Sequence, residues 1–271
     1  MRRVATPLLY ATLLVLAALT LLPLVWMVSA SLMPAGEATA SPRLLPHAVT
    51  FEHYRTLFER LNVARAFANT VLLAGAVTVI SLLVNSLAGY AFAKLPFAGR
   101  DRIFRLLLAS LVIPAQVAML PLFLMMRELG LIDTYWGVIV PGMASIFGIF
   151  LVRQYALSIP QSLLDAARID GASELRIFWS LVVPFCTPVL VTLAIFTFMG
   201  TWNDFLWPLI VLTGEDRQTL PVALANLAGE HVQDVELMMA GAVLTVLPIT
   251  VLFLALQRYY IEGIVSGSVK E

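Results

Sequence analysis

The chain has 271 residues, of which 60% are hydrophobic and 13% are charged, and its mean hydropathy is +0.91. This composition excludes an ordinary soluble domain, in which about 25% of residues are charged, and it favours a protein embedded in a lipid bilayer. The formal net charge of zero argues against nucleic acid as a partner, and the single cysteine, Cys186, excludes an intrachain disulfide.

Metal and cofactor sites find no support in the sequence. The histidines His47, His53 and His231 are scattered without ligand spacing, and we expect all three in solvated loops. We therefore predict no metal centre and no cofactor.

Six weakly charged stretches are long enough to cross a bilayer, which takes about 20 residues of α-helix. Their polarity does not alternate as barrel strands require, and lipid offers no partner to unpaired backbone groups, so helices are expected. The predicted fold is an all-α membrane protein with one domain over 1–271 and spans near 7–29, 68–91, 104–126, 136–153, 185–212 and 237–257.

The first span resembles a signal peptide at both ends, with Arg2 and Arg3 before it and Val28-Ser29-Ala30 at its close. Its apolar run exceeds the roughly 7–15 residues of a signal-peptide core, so we expect an uncleaved anchor. With the N-terminus inside, eleven of the 17 Lys and Arg residues fall in inner segments. Because cytoplasmic loops are enriched in Lys and Arg, both termini are predicted in the cytoplasm.

Polar side chains in the second and third spans are assigned to packing. Thr78, Ser81 and Asn85 form one stripe at helical spacing, and such residues often join membrane helices. Gln116 lies between two prolines, where its amide is expected to satisfy a kinked backbone.

The inner segment after the fourth span predicts two short helices separated by a glycine. Ser162, with Asp165 three residues later, is typical of a capping box at the start of the first helix. Gly171 supplies the left-handed residue that ends it. Ser173 is expected to cap the second helix and Pro184 to close it.

We call this segment, residues 158–185, the elbow. Leu164, Ala167 and Ile169 are expected to give its first helix an apolar side. A compact helix–Gly–helix unit in the cytoplasm is a plausible docking surface for another protein.

The elbow resembles the EAA loop of permease subunits in binding-protein-dependent ABC importers. The matching residues are Asp165, Ala166, Ala167, Asp170, Gly171, Ala172, Phe178, Pro184 and Pro188. The family pattern begins with Glu, and Asp165 keeps the charge on a side chain one methylene shorter. The resemblance implies that an ATPase couples to Asp165, Ala166, Ala167, Asp170, Gly171, Ala172 and Pro184.

Further stretches are similar to the carbohydrate branch of this family, and in particular to the six-span second permease of a maltose-type pair. They run from Tyr90 to Lys94, Leu129 to Trp136, Trp202 to Leu209 and Gln257 to Lys270. The resemblance implies a type I importer fold in a bacterial or archaeal cytoplasmic (inner) membrane. It also implies three partners beside lipid: a second permease subunit, a dimer of ATP-binding cassette ATPases and an extracytoplasmic solute-binding protein.

ATP hydrolysis is not predicted for this chain. A phosphate-binding P-loop needs Gly-Lys followed by Ser or Thr, whereas Lys94 follows Ala93 and Lys270 follows Val269. We therefore predict no catalytic residue here and expect a separate subunit to bind ATP.

Polar residues in the fifth span are predicted to line a substrate path. Thr197, Gly200, Thr201 and Asp204 fall on one helical face, with Asn203 beside them. An ionisable group in a span costs about 2.5 kcal/mol or more toward lipid, and such groups are usually functional. We assign Thr197, Thr201, Asn203 and Asp204 to contacts with a polyhydroxylated solute. The alternative is that Asp204 caps or bridges helices near the outer surface.

Three other functions stay open at this point. The same family could carry glycerol phosphate or another polar solute, although no Lys or Arg lies in the interior of a span. A secondary transporter driven by an ion gradient would use coupling charges near the midplane, and Asp204 is the one candidate. A membrane enzyme would need clustered catalytic side chains, and the sequence offers none.

Overall fold

The computed structural model describes residues 2–40, 43–60, 62–230 and 234–268, and within these ranges every regular element is helical. A helix pairs each backbone N–H and C=O within its own segment, which is what a strongly apolar chain requires in lipid. The all-α prediction is confirmed.

Fifteen α-helices, one π-helical turn and one 3-10 turn follow one another in the described ranges. In chain order these are α1 (Arg2–Ala30), α2 (Glu37–Ala40), α3 (Glu52–Arg60), α4 (Val63–Lys94), α5 (Arg100–Ser110), α6 (Ala115–Glu128), α7 (Trp136–Gly142), α8 (Ile146–Leu157), α9 (Gln161–Ile169), α10 (Glu174–Ile177), the π turn Phe178–Val182, α11 (Val183–Phe185), α12 (Thr187–Trp202), α13 (Leu206–Val211), the 3-10 turn Glu215–Arg217, α14 (Leu220–Glu230) and α15 (Val235–Ser268).

Contacts divide the chain into two compact units. The first comprises Met1–Arg65 with Leu220–Ile249, and the second comprises Ala66–Thr219 with Thr250–Glu271. A single functional domain over 1–271 remains our prediction.

Four helices are long and apolar enough to cross a membrane: Leu9–Ala30, Val63–Lys94, Trp136–Leu157 and Val235–Ala255. Two bent pairs raise the number to six if each pair is one span: Arg100–Ser110 with Ala115–Glu128, and Glu174–Phe185 with Thr187–Trp202. These six regions overlap the six predicted spans.

The predicted span near 104–126 is a bent helix pair, and so is the region where the elbow enters the predicted span near 185–212. That span is also divided at residues 203–205, between α12 and α13. α5 and α6 meet at 106°, and the run Glu174–Phe185 meets α12 at 80°. Pro114 stands immediately before α6 with a ψ of 134°, and a proline disfavours helical conformation in the residue before it. The second break falls at Cys186, between Pro184 and Pro188. Proline placement therefore explains why neither region is one straight helix.

Helix α4 contributes to two hydrophobic clusters of the second unit. Leu73 and Val77 pack with side chains of α6, α7 and α13. Tyr90 and Ala93, near the other end of the helix, pack with α8, the elbow and the start of α12. One continuous helix thus borders both clusters.

The polar stripe of α4 serves packing, as predicted. Asn85 donates from Nδ2 to the Ser81 hydroxyl (2.7 Å), and its Oδ1 accepts the Ser145 backbone N–H before α8 (2.9 Å). A Cβ on Gly148 would lie 2.6 Å from Asn85, and one on Gly89 would lie 2.7 Å from Val152. The two glycines therefore permit close approach of α4 and α8.

The first unit places one histidine differently from expectation. His53 is buried in α3, and its Nε2 lies 2.9 Å from the Met33 carbonyl oxygen. The expectation of a solvated loop is wrong because this imidazole has a buried backbone partner. His47 is exposed, and His231 lies outside the described residues.

Candidate functional site

The elbow is organised around Gly171, which follows α9 with a left-handed φ of +82°. Its N–H donates to the Arg168 carbonyl (3.0 Å), and the Ala172 N–H donates to the Ala167 carbonyl (2.9 Å). These two bonds pair carbonyls that the helix end would leave open. The prediction that Gly171 ends the first helix is confirmed.

Helix caps in the elbow agree only in part with the sequence pattern. The Ser173 hydroxyl accepts the Arg176 N–H (3.3 Å) and caps α10, as predicted. Ser162 lies inside α9, because the helix begins directly after Pro160. The predicted capping box between Ser162 and Asp165 is therefore wrong.

Pro184 does not close the second helix of the elbow. The helical run continues from α10 through the π turn Phe178–Val182 into α11 and stops at Cys186. Pro184 is the second residue of α11 and follows the π turn directly.

Large apolar side chains of the elbow stand exposed. Ile169 is 86% exposed, Leu175 61% and Trp179 54%, whereas Leu164 is fully buried. The sequence pattern assigned Ile169 to the same apolar side of the helix as Leu164. That expectation is wrong because five residues advance a helix by about 500°, which places the two side chains roughly 140° apart. Exposed apolar side chains of this size are available for contact with another protein or with lipid.

The predicted coupling residues mostly face outward. Among them Asp165, Ala166, Asp170, Gly171 and Pro184 are exposed, while Ala167 and Ala172 are half-buried. All but Pro184 lie between the middle of α9 and the residue after Gly171, so the structure brings these six together at the tip of the elbow.

Arg168 is an elbow residue that the sequence reasoning missed. Its Nη1 donates to Asp165 Oδ1 and its Nε donates to Glu174 Oε1, both at 2.7 Å. The hydrogen bond to Glu174 is the main cause that raises the pKa of the Arg168 guanidinium above its usual value. The sequence did offer a signal, because acidic residues lie three positions before Arg168 and six positions after it. The contact with the second of these, Glu174, depends on the turn at Gly171.

A cavity of about 320 Å³ lies between helices of the second unit. Its polar lining consists of Gln116, Thr201 and Asp204, and its apolar lining includes Val77 and Met119. None of the described residues that line it is Lys or Arg. Its walls therefore offer hydroxyl, amide and carboxylate groups, which hydrogen-bond neutral polar molecules.

The predicted path residues divide into two pairs. Thr201 and Asp204 line the cavity, whereas Thr197 and Asn203 are absent from its lining. The Asn203 amide instead donates to the Met199 carbonyl (2.9 Å). Gln116, which we expected to satisfy a kinked backbone, joins the lining.

Asp204 has a second contact, at the start of α13. Its Oδ1 accepts the Trp207 backbone N–H at 3.4 Å, in the manner of an N-cap. The Trp207 indole in turn donates to the Gly137 carbonyl (3.0 Å) and fixes α13 against α7. One carboxylate thus both borders the cavity and supports the short helix beside it.

Comparison with known proteins settles the family. The family of binding-protein-dependent transport system inner membrane components matches residues 85–265. The chain belongs to this family. It is a multi-pass transport permease rather than an enzyme, and its matched region includes the elbow and Asp204.

Relatives of this permease match it almost end to end. The arabinooligosaccharides transport system permease protein AraQ of Halalkalibacterium halodurans is 39% identical over 259 residues, covering 94% of this chain and 93% of that one. The lactose transport system permease protein LacG of Rhizobium radiobacter is 34% identical over 266 residues, covering 96% and 95%.

A solved structure shares the fold of this permease. It is the crystal structure of a bacterial ABC transporter involved in the import of the acidic polysaccharide alginate. One of its chains superposes with a TM-score of 0.84 at 27% identity, covering 95% of this chain and 97% of that one. The predicted ABC importer permease fold is confirmed.

Proposed function

We propose that this permease forms half of the translocation pore of an ATP-driven importer for a sugar or oligosaccharide. The observation that carries the proposal is the cavity lined by Gln116, Thr201 and Asp204. Its described lining residues offer hydrogen-bonding groups and include no Lys or Arg. Sugar hydroxyls both donate and accept, and amide, hydroxyl and carboxylate groups complement them. Relatives named for arabinooligosaccharide and lactose transport support the same cargo class.

A separate ATPase dimer supplies the energy in this proposal. The chain has no Gly-Lys pair from which a P-loop could be built. The exposed apolar residues Ile169, Leu175 and Trp179 give the elbow a surface on which an ATPase subunit can dock. Asp165, Asp170 and the other predicted coupling residues would lie at that contact.

The remaining partners follow from the type of transporter. A second, homologous permease would complete the pore, and an extracytoplasmic solute-binding protein would deliver the cargo. Both termini and the elbow would face the cytoplasm of a bacterial or archaeal cell. Thiol labelling of single cysteines placed at Ile169 and Leu175 tests this orientation, and labelling from the extracytoplasmic side would overturn it.

Reconstituted transport tests the function. The permease, its second subunit, the ATPase and the binding protein are placed in proteoliposomes, and uptake of labelled oligosaccharides is followed with and without ATP. We expect uptake that requires ATP and stops with vanadate. Uptake that is insensitive to vanadate but abolished by a protonophore would contradict this proposal. It would indicate an ion-driven transporter in which Asp204 is the coupling carboxylate.

The same vesicles separate neutral from anionic cargo. Because the cavity contributes Asp204 and no described basic side chain, glycerol phosphate should neither be taken up nor compete with the sugar. Competition by glycerol phosphate at equal concentration would shift the cargo assignment to a phosphorylated solute.

A further inference from the structure

Both carboxylate oxygens of Glu174 have a partner from another segment. Oε1 accepts the Arg168 Nε hydrogen at 2.7 Å, and Oε2 accepts the Tyr90 hydroxyl hydrogen at 2.6 Å. Arg168 precedes Gly171, Glu174 follows it, and Tyr90 belongs to α4. One side chain therefore joins both arms of the elbow to α4.

These contacts are of the strong kind. The arginine bond is charge-assisted, and the phenol donates to an ionised acceptor, which makes each bond stronger than one between neutral groups. Arg168 and Glu174 retain 30% and 45% of their side-chain exposure, so water reaches the charges, but Tyr90 is buried. The Tyr90 ring also lies 6.0 Å from that of Phe178, which begins the π turn of the elbow.

A second tether joins the same end of α4 to the segment that enters the elbow. The Lys94 ammonium donates to the Ile159 carbonyl (2.6 Å) and the Leu157 carbonyl (3.3 Å). The last turn of α4 is thus bonded to residues before α9 and to Glu174 after Gly171. Such fastening on both sides leaves the elbow little freedom to move without α4.

Helix α4 leads from these contacts to the cavity. Val77 lines the cavity and lies 13 residues before Tyr90, about 20 Å along a continuous helix. A helix paired throughout its length transmits a displacement at one end to the other. The hydrogen bonds of Asn85 to Ser81 and to Ser145 keep the intervening part in register with α8.

We propose that Tyr90, Arg168 and Glu174 are positioning residues that make α4 move with the elbow, so that motion imposed on the elbow reaches the wall of the cavity. This inference rests on the proposed function, since it requires an ATPase that moves the elbow. The Tyr90 hydroxyl is the decisive group, because it donates the hydrogen bond that joins α4 to the Glu174 carboxylate, and this carboxylate bridges the two arms of the elbow. Without that bond, the elbow can shift while α4 lags behind.

The test removes one hydroxyl from the complete transporter. Tyr90→Phe keeps the ring on Phe178 and deletes the hydroxyl that bonds to Glu174 and interacts with Arg168. Tyr155→Phe is the matched control, because Tyr155 is half-buried in the neighbouring α8 and its hydroxyl has no hydrogen bond within the described part of the chain. Binding-protein-stimulated ATP hydrolysis and uptake are measured in the same proteoliposomes, and their ratio gives molecules transported per ATP.

For Tyr90→Phe we expect normal assembly, retained ATP hydrolysis and a transported-per-ATP ratio lowered roughly threefold or more. Glu174→Ala, which removes both acceptor oxygens, should show the same loss, and the double variant should be no worse than Glu174→Ala alone, because both changes act through one contact. Tyr155→Phe should keep the wild-type ratio. A residue with a purely structural role would lower assembly and leave this ratio unchanged.

Different failures have different meanings. If the wild-type complex shows no ATP-dependent uptake, the proposed function fails. If the wild type transports and Tyr90→Phe keeps the wild-type ratio, the proposed function stands and the positioning role is overturned. If Tyr90→Phe does not assemble, Glu174→Ala decides alone, and a wild-type ratio in that variant overturns the inference.

Discussion

The Tyr135 hydroxyl donates to the Asn69 amide oxygen across 2.8 Å, and this pair fixes the loop that follows α13. The Asn69 amide nitrogen donates in turn to the carbonyls of Asp216 and Gln218, both at 3.0 Å. A buried side chain near the start of α4 thus holds a loop that lies about 150 positions later.

Removal of the Asn69 amide should release this loop. In Asn69→Ala the carbonyls of Asp216 and Gln218 lose the hydrogen bonds from the Asn69 amide. Where water cannot replace these bonds, the loss destabilises the loop by about 1–3 kcal/mol. Trypsin cleavage after Arg217, in detergent, should become faster by the corresponding factor. Tyr135→Phe is the control, since it removes only one bond to Asn69 and should accelerate cleavage less. Equal cleavage rates in all three proteins would contradict the assignment.

The same loop contains an ion pair whose contribution to stability can be measured separately. Arg217 pairs with Asp133 Oδ2, and Asp133 Oδ1 accepts the Gly214 N–H at 2.8 Å. Asp133 has a left-handed φ of +56°, a conformation that Asn also tolerates. Asp133→Asn therefore keeps the backbone and the bond to Gly214, and it removes the charge together with the oxygen that accepts from Arg217.

This substitution should cost about 0.5–1 kcal/mol, because side chains that are 46% and 29% exposed are screened by water. Thermal unfolding in detergent gives the measurement. The difference between wild type and Asp133→Asn should shrink as ionic strength rises from about 0.01 M to 1 M, since the screening length falls from about 30 Å to 3 Å. A difference that does not depend on salt would show that the charge is not what matters.

Gly171 offers a direct test of ATPase coupling. A left-handed residue with a Cβ costs roughly 1–2 kcal/mol, and a β-branched one more, so Gly171→Val should distort the turn between α9 and α10. We expect the variant to lose co-purification with the ATPase and most of the substrate-stimulated hydrolysis.

Gly36 supplies a matched control for this change. It has a φ of +83°, as against +82° at Gly171, and a Cβ at either position meets nothing within 4 Å. Gly36→Val therefore introduces similar strain outside the elbow and should leave the ATPase bound. Loss of the ATPase in both variants would point to general destabilisation, and loss in neither would remove the elbow from the coupling role.

The sequence predicted the helices of this fold better than their breaks. Long uncharged runs favour helices in lipid, and the six predicted runs overlap the four helices and two bent helix pairs that are long and apolar enough to cross a membrane. The bend between α5 and α6 depends on which proline ends a helix, and Pro121 sits inside α6 while Pro114 precedes it. The amino-acid composition does not show which of these two prolines ends a helix.

Site residues were predictable where the contact is local. Gly171 was found because a left-handed helix end is a property of a few consecutive residues. The bond between Tyr90 and Glu174 joins positions 84 apart, and only the packing of α4 against the elbow brings them together. Gln116 was missed as a cavity residue for the same reason. It lines one cavity with Thr201 and Asp204 because the chain bends before α6.

Two roles of Asp204 can be separated by comparing two substitutions. Asp204→Asn keeps an oxygen that can accept the Trp207 N–H, so the start of α13 should remain capped and thermal stability should change by less than about 0.5 kcal/mol. Asp204→Ala removes the cap and should cost about 1 kcal/mol.

Sugar uptake should respond to both substitutions if the carboxylate contacts the cargo, because Asn replaces one strong acceptor with an amide that also donates. Uptake in vesicles, normalised to assembled complex, is the measurement. Normal uptake in Asp204→Asn combined with reduced stability in Asp204→Ala would assign this carboxylate to the α13 cap. The substrate path would then be left to Gln116 and Thr201, whose alanine variants should lower uptake without loss of stability.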